Sequence, residues 1–215
     1  MRPVIVMAGT PVDTQMGMDC LSARGLTGVY CPVSLDPTQQ TVFQISPMEK
    51  KLDTVIQILC KAQREHGCEA AFIYCNSLSG SLDFGHVARE TGLRIVTPLD
   101  VYRLLAPKYR SLAVIAANAQ GTAGIERTLL AVNPTLALRS TGMLPLVLDI
   151  EAGLDPEEIV IRHRLPELCA WYQALGAEAL VLGCTHFPYI KAPLAARTAL
   201  PIIDPAEEML RLLGA

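Results

Sequence analysis

The sequence predicts an α/β protein of two similar lobes, each a mostly parallel sheet flanked by helices. Short apolar runs alternate with longer segments of helical periodicity along the chain, and strands that alternate with helices form parallel βαβ units. Two of the apolar runs also end alike, each in a cysteine followed by hydrogen-bonding residues. With 215 residues, 51% of them hydrophobic, the chain can form one large domain or two halves of about 100 residues each.

The expected elements follow from these patterns. Strands are predicted at 4–8, 27–32, 70–75, 93–96, 112–116, 136–140, 179–183 and 201–203. Helices are predicted at 48–66, 78–90, 99–106, 121–132, 156–175, 192–199 and 206–212. The clearest helix is 48–66, where apolar residues recur at a spacing of three or four. Asp155 and Pro156 mark another helix start, since Asp caps helices and proline fits their first turn.

The turn chemistry at Thr97 and Pro98, near the middle of the chain, predicts the boundary between the lobes. We expect a first lobe at 1–97 with the first cysteine, a second lobe at 98–196 with the second cysteine, and a tail, 197–215, that could return to the first lobe. Parallel sheets bind ligands at the carboxyl ends of their strands. The active site is therefore expected in the cleft between the lobes.

Charge and composition narrow the classes of function. The net charge is −3 and the cationic residues are scattered, which argues against a nucleic acid or an anionic membrane as partner. No uninterrupted apolar run approaches the about 18 residues of a membrane span, and the apolar start is too short for a signal peptide. The seven cysteines form an odd set, which favours free thiols in a reducing cytoplasm.

No cofactor and no metal is expected. The chain has no CxxC pair, and Cys184 with His186 lacks the further ligands that zinc requires. It also has no lysine in a pyridoxal-type motif and no glycine fingerprint for a dinucleotide.

The two matching strand ends carry the candidate chemistry. They are Cys75, Asn76 and Ser77 in the first half, and Gly183, Cys184, Thr185 and His186 in the second. A thiol at a strand end, beside a helix N-terminus, has its thiolate stabilised by backbone N–H groups. Two such thiols can act as an acid–base pair that removes a proton from one face of a carbon and returns one to the other. The product is the mirror-image stereocentre.

These motifs resemble those of the aspartate/glutamate/hydantoin racemase superfamily, whose members use two cysteines and no cofactor. The first, at 75–77, resembles the family's Cys-Asn-Ser, and the second, at 183–188, its Gly-Cys-Thr-His followed by an aromatic residue and proline. The stretch 145–153 resembles the segment that carries an acid in glutamate racemases. The resemblance implies the two-lobed fold and the catalytic residues Cys75, Cys184, His186 and Glu151.

The expected substrate-binding residues are Gly9, Thr10, Asn76, Ser77, Asn118, Thr122 and Thr185. Asn76, Ser77 and Thr185 could hold a carboxylate, and the alternative role for these three is to cap helices. Two loops depart from the family pattern. Glutamate racemases carry Asp-Ser-Gly after the first strand, whereas the loop 8–17 here leaves Asp13, Thr10 or Thr14 as alternatives for that acid. The loop 116–122 retains Thr122, but its centre differs.

The other cysteines and histidines are expected to be structural. The cysteines are predicted to be small buried hydrophobic residues, and they are Cys20, Cys31, Cys60, Cys68 and Cys169. The histidines, in polar helical contexts, are predicted at the surface, and they are His66, His86 and His163.

The function expected from these observations is a cofactor-independent amino-acid racemase, an isomerase of amino-acid metabolism that acts by two-cysteine proton transfer at the α-carbon. The alternatives are a cis–trans isomerase of an unsaturated diacid that resembles maleate isomerase and uses a nucleophilic cysteine, a hydantoin racemase, and a two-lobed binding protein. The expected partners are a small amino-acid or carboxylate substrate and a second copy of the chain, since the apolar composition suggests a homodimer.

Overall fold

The structure is a computed structural model that describes residues 2–35, 39, 42–43 and 45–214. Within the described residues the chain forms two compact units. The first unit takes the residues up to Asp100 and those from Ala206 onward, and the second unit is Val101–Pro205. The lobe boundaries predicted at 97/98 and 196/197 stay predictions.

The helices of the described chain connect the strands and flank the sheets. In chain order they are α1 (Pro11–Ser22), α2 (Met48–His66), α3 (Asn76–Ser81), α4 (Phe84–Thr91), α5 (Pro98–Leu105), α6 (Ala119–Val132), α7 (Leu144–Glu151), α8 (Pro156–Arg162), α9 (Leu165–Ala174), α10 (Lys191–Ala195) and α11 (Pro205–Leu213). Short 3₁₀ turns occupy Ala106–Lys108 and Phe187–Ile190. None of the described helices combines the length and the hydropathy that a bilayer-spanning helix needs.

The sheet of the first unit, as far as the chain is described, has four parallel strands in the order β2-β1-β3-β4. They are β1 (Val4–Ala8), β2 (Gly28–Pro32), β3 (Ala70–Ile73) and β4 (Arg94–Val96). The central strand β1 is buried along its whole length. Its continuous apolar sequence fits this place, because a central parallel strand is covered on both faces.

The sheet of the second unit repeats this order as β6-β5-β7-β8, again with parallel pairing. Its strands are β5 (Ser111–Ala116), β6 (Ala137–Gly142), β7 (Ala179–Gly183) and β8 (Ile202–Ile203). In each unit the third strand lies beside the first strand, and the candidate catalytic cysteine follows the third strand. The predicted α/β class with two parallel sheets is confirmed.

Two of the helices named above were absent from the prediction. The segment 8–17, expected to be a loop, turns at Gly9 and Thr10 and enters α1 at Pro11. Gly17 lies inside this helix because α1 packs closely on the sheet. A Cβ atom there would lie 2.7 Å from Cγ1 of Val6 and 2.9 Å from Cβ of Tyr74. The other missed helix is α7, which is apolar over most of its length and so lacks a clear helical period.

Two predicted helices are each split in two. The helix expected at 78–90 breaks where Asp83 caps α4, its side chain accepting hydrogen bonds from the N–H groups of Gly85 and His86. The helix expected at 156–175 breaks at Arg164, which has a φ of 50° before Pro166 in the first turn of α9. Proline cannot donate a helical hydrogen bond, so α9 starts anew there.

Candidate active site

Cys75 lies at the carboxyl end of β3 in the first unit, directly before α3. Its side chain is buried, with 4% of the residue exposed, and its Sγ atom is 3.4 Å from Oγ of Ser77. Asn76 is also buried. The hydroxyl of Ser77 can donate a hydrogen bond to the sulfur and so favour the thiolate. The structure therefore brings the three residues of the first motif together.

Gly9 and Thr10 follow the neighbouring strand β1, so they share the same sheet edge with Cys75. Asp13, buried in the first turn of α1, organises this turn. Its carboxylate accepts hydrogen bonds from the N–H of Gly9 at 3.2 Å, the N–H of Thr10 at 2.7 Å and Oγ1 of Thr10 at 2.8 Å. The hydroxyl of Thr14 donates to the carbonyl of Thr10 instead. Among the three alternatives for the loop acid, Asp13 is thus the buried ionisable group.

Cys184 follows β7 in the second unit, and a glycine precedes it for a steric reason. A Cβ atom on Gly183 would lie 2.5 Å from Cδ1 of Ile125 and 2.9 Å from the carbonyl oxygen of Ile115. Only glycine allows this strand end to pack so closely against β5 and α6. The chain after His186 forms the 3₁₀ turn Phe187–Ile190, with Pro188 at its start.

A relay of three side chains starts at Cys184. Its Sγ atom lies 3.6 Å from Nδ1 of His186, and Nε2 of the same ring lies 3.1 Å from Oε1 of Glu151. Cys184 and His186 are buried, with 7% and 6% exposed. Glu151 is the last residue of α7, so a helix end delivers the carboxylate to the ring.

The ionisation state of Glu151 determines which atoms of this relay donate hydrogen bonds and which accept them. The hydrogen bond with His186 holds the pKa of Glu151 below its ordinary value of 4.5, so the group is a carboxylate at neutral pH. A carboxylate only accepts hydrogen bonds, and Nε2 of His186 is therefore the donor. In the neutral ring Nδ1 then keeps its lone pair and faces the sulfur. The imidazole can accept the proton of Cys184 and leave a thiolate.

A buried phenol, which the sequence did not single out, accompanies Cys184. Tyr102 is fully buried in α5, and burial together with the charges of Cys184 and Asp204 raises its pKa well above 10. The phenol is therefore neutral in the working range of pH. Asp204 follows β8 and pairs with Nζ of Lys191 at 3.7 Å. No pattern in the sequence around residue 102 distinguishes it from a core tyrosine.

Asn118 and Thr122 follow β5, the strand next to β7. The side chain of Asn118 caps α6 by accepting a hydrogen bond from the N–H of Gly121 at 2.9 Å. The hydroxyl of Thr122 donates to the carbonyl of Ala119 at 2.8 Å and keeps its oxygen lone pairs for a further donor. Both lie on the same sheet edge as Cys184 and Thr185. Their role in binding substrate stays a prediction.

The remaining cysteines and histidines differ in part from the expectation. Cys68 and Cys169 are buried as predicted, whereas Cys20, Cys31 and Cys60 are half-buried. His163, expected at the surface, has only 15% of its side chain exposed because it pairs with Asp149 at the end of α7. Among the described residues no three His, Cys, Asp or Glu side chains are grouped in a way that could hold a metal ion.

Comparison with known proteins gives partial sequence matches to one kind of enzyme. No protein-family model matches the chain. A glutamate racemase of Limosilactobacillus reuteri is 31% identical over 106 residues, which is 48% of this chain and 39% of that protein. A glutamate racemase of Neisseria meningitidis serogroup C is 29% identical over 161 residues, 70% of this chain and 58% of that protein. The chain thus spans less than two thirds of the length of these curated relatives.

Solved structures share the fold over nearly the whole chain. The glutamate racemase of Francisella tularensis, in complex with D-glutamate, superposes with a TM-score of 0.73 at 17% identity, covering 99% of this chain and 80% of that one. An aspartate racemase homologue from Pyrococcus horikoshii superposes with a TM-score of 0.72 at 16% identity and covers 100% of both chains. The predicted two-lobed α/β fold is the fold of these proteins.

Proposed function

We propose that the chain is a member of the aspartate/glutamate racemase superfamily and a cofactor-independent amino-acid racemase whose bases are Cys75 and Cys184. The observation that supports this most strongly is the matched position of the two thiols. Each is buried at the carboxyl end of the third strand of its sheet, the edge at which parallel α/β sheets bind ligands.

In the proposed reaction one cysteine starts as a thiolate and the other as a thiol. The thiolate takes the α-proton from one face of the amino acid, which leaves the electron pair on the α-carbon and the carboxylate. The thiol then gives its own proton to the opposite face. The two sulfurs have exchanged protonation states, and the product is the mirror-image amino acid. No electrons leave the system, so the step needs no redox cofactor.

The environments of the two thiols support unequal roles. Cys184 has His186 and Glu151 behind it, a general base held by a carboxylate. Cys75 has the hydroxyl of Ser77 beside it. We therefore propose that His186 sets the protonation of Cys184 and that Ser77 and Asn76 support Cys75. Gly9, Thr10, Asn118, Thr122 and Thr185 are proposed to bind the substrate, with Asp13 in place of the family's loop acid.

Aspartate and glutamate are the first substrates to test. The Francisella structure contains D-glutamate, and another structure that shares the fold, the glutamate racemase of Escherichia coli, contains L-glutamate. These facts concern those proteins, and for this chain they only guide the choice of compounds. The predicted homodimer and cytoplasmic location are further proposals, of which the first is checked by light scattering of the purified protein.

The experiment uses proton NMR in deuterated water with separate D- and L-aspartate and D- and L-glutamate, followed by chiral chromatography. We expect the α-proton signal of at least one pair to disappear while the opposite enantiomer appears. Cys75→Ser and Cys184→Ser should each lower racemisation by about 10²–10⁴-fold. Cys60→Ser, which changes a half-buried cysteine on α2 outside the site, is the matched control and should retain full activity.

Three other outcomes would redirect the proposal. Conversion of maleate, with a covalent adduct on one cysteine seen by intact mass, would identify a diacid isomerase instead. Racemisation of a hydantoin but of neither amino acid would keep the two-base chemistry and change the substrate. Tight ligand binding without turnover would indicate a binding protein.

A further inference from the structure

A second carboxylate in the last turn of α7, Asp149, is contacted by the side chains of Arg162, the last residue of α8, and of His163, which follows it. Its Oδ2 atom lies 2.9 Å from Nε2 of His163 and 3.4 Å from Nη1 of Arg162. The side chains of Asp149 and His163 are largely buried, with 23% and 15% exposed. These contacts lower the pKa of Asp149, the hydrogen bond with His163 having the largest effect.

The contacts of Asp149 with His163 and Arg162 lie at the C-terminal end of α7, where negative charge is unfavourable. Glu151 ends this helix of eight residues, and Asp149 is in the same turn. Two carboxylates at a helix C-terminus face the negative end of the helix dipole, and no basic residue of α7 occupies its last turn. The compensating contacts come from outside the helix, from His163 and Arg162 for Asp149 and from His186 for Glu151.

A continuous set of contacts connects the Asp149–His163 pair to the relay. The pair ties the end of α7 to the end of α8. Helix α8 packs against the 3₁₀ turn Phe187–Ile190, which directly follows His186. Tyr189 in that turn donates from Oη to the carbonyl of Leu154, in the α7–α8 connection, at 3.0 Å. Helix α8 and Tyr189 therefore connect the end of α7, which carries Glu151, to the turn that follows His186.

We propose that Asp149 and His163 form a positioning pair that holds Glu151 against His186 and thereby prepares Cys184 for proton transfer. This inference rests on the proposed function and adds to it residues that do not touch the substrate. The pair lies in the same compact unit as Cys184, so we expect it to act on that thiol. Loss of the pair should therefore slow the proton transfer by Cys184 more than the proton transfer by Cys75.

The test uses Asp149→Ala and His163→Ala, with Asp149→Asn and His163→Gln as conservative variants that retain a hydrogen-bonding group. The matched control is Glu167→Gln, which removes an exposed ion pair with Arg164 on the neighbouring helix α9. For each variant, α-proton exchange in deuterated water is compared with inversion, starting from each enantiomer. The comparison is informative for the enantiomer whose α-proton is removed by Cys75. If Cys184 then donates its proton slowly, Cys75 returns a solvent-derived deuteron to the same face of the α-carbon. The amino acid then exchanges its α-hydrogen without inversion.

We expect the ratio of exchange to inversion to rise about tenfold in both alanine variants, since small displacements of a catalytic group cost rates of this order or more. The rise should appear with one enantiomer only, the same one that shows it in Cys184→Ser. The conservative variants should recover most of the change, and Glu167→Gln should match the wild type. Equal loss with both enantiomers, or no change in the ratio, would overturn the positioning role.

A second measurement does not depend on turnover. The ring N–H of His186 that is hydrogen-bonded to Glu151 should give a low-field proton resonance, assigned by its absence in Glu151→Gln. We expect this resonance to be lost in both alanine variants and retained in Asp149→Asn and Glu167→Gln. If the wild type racemises no amino acid but this pattern holds, the proposed function fails and the positioning pair stands. A resonance unchanged in the alanine variants refutes the pair.

Discussion

Nε2 of His186 lies 3.1 Å from Oε1 of Glu151, although 35 residues separate the two in the sequence. Helix α7 delivers the carboxylate and the turn after β7 delivers the ring. Because Glu151 is ionised at neutral pH, it orients the imidazole with its free lone pair toward Cys184. The second proposed base is thus built entirely within one compact unit.

Glu151→Gln should impair the half-reaction that uses Cys184. The amide can still contact the ring, but it carries no charge to stabilise an imidazolium, so we expect kcat to fall by about 10²-fold with little change in KM. Glu157→Gln, an exposed acid of α8 that pairs with Arg197, is the control. Steady-state kinetics with both enantiomers measures this effect. A wild-type kcat in Glu151→Gln would show that the charge of Glu151 is not needed for catalysis.

The contact between Glu151 and His186 should also make stability depend on pH. The folded-state pKa of Glu151 is below 4.5, so the contact contributes its full stability above that pH and loses it as the pH falls through the lowered value. We expect the difference in Tm between wild type and Glu151→Gln to be constant near neutral pH and to shrink in acid. A difference that grows in acid would contradict this sign.

Gly183→Ala should strain the strand end that carries Cys184. The added methyl group would lie 2.5 Å from Cδ1 of Ile125 and 2.9 Å from the carbonyl oxygen of Ile115. We expect the free energy of unfolding to fall by about 1–3 kcal/mol, the usual cost of overpacking, and racemisation to fall with it. At Gly121 a methyl group meets only ordinary contacts, at 3.4 Å or more, so Gly121→Ala should not destabilise. Urea denaturation measures both.

Asp13→Ala should destabilise the turn after β1. It removes the acceptor of the Gly9 and Thr10 N–H groups in a buried place, and leaving them unsatisfied costs about 1–3 kcal/mol. Asp53→Ala, at an exposed position of α2, is the control. Equal urea midpoints for the two variants would show that Asp13 is not needed for this turn.

The sequence was sufficient for the strands and for the two thiols. Continuous apolar runs mark buried parallel strands, and the repeated cysteine contexts place Cys75 and Cys184 at equivalent strand ends. The spacing of apolar residues did not predict α1 and α7, because packing rather than a helical period determines their sequences. Helix α1 tolerates Gly17 because it packs within contact distance of Val6, and α7 has no clear period because it is apolar over most of its length.

Contacts between distant parts of the chain were harder to predict. The role of Glu151 was suggested only by the family resemblance, because no local pattern connects it to His186. The pairing of His163 with Asp149 and the burial of Tyr102 near Cys184 depend on how helices pack, and neither residue lies in a recognisable motif. Such residues become visible only once the helices are placed on the sheet.

The most direct test of the two-base mechanism is to measure which enantiomer exchanges its α-proton in Cys75→Ser and which does so in Cys184→Ser. Each variant is incubated with each enantiomer of the substrate in deuterated water. We predict that each loses racemisation and that Cys184→Ser exchanges the α-proton of one enantiomer only, while Cys75→Ser exchanges that of the other. Exchange of the same enantiomer by both variants, or full racemisation by either, would contradict a mechanism with one cysteine on each face of the α-carbon.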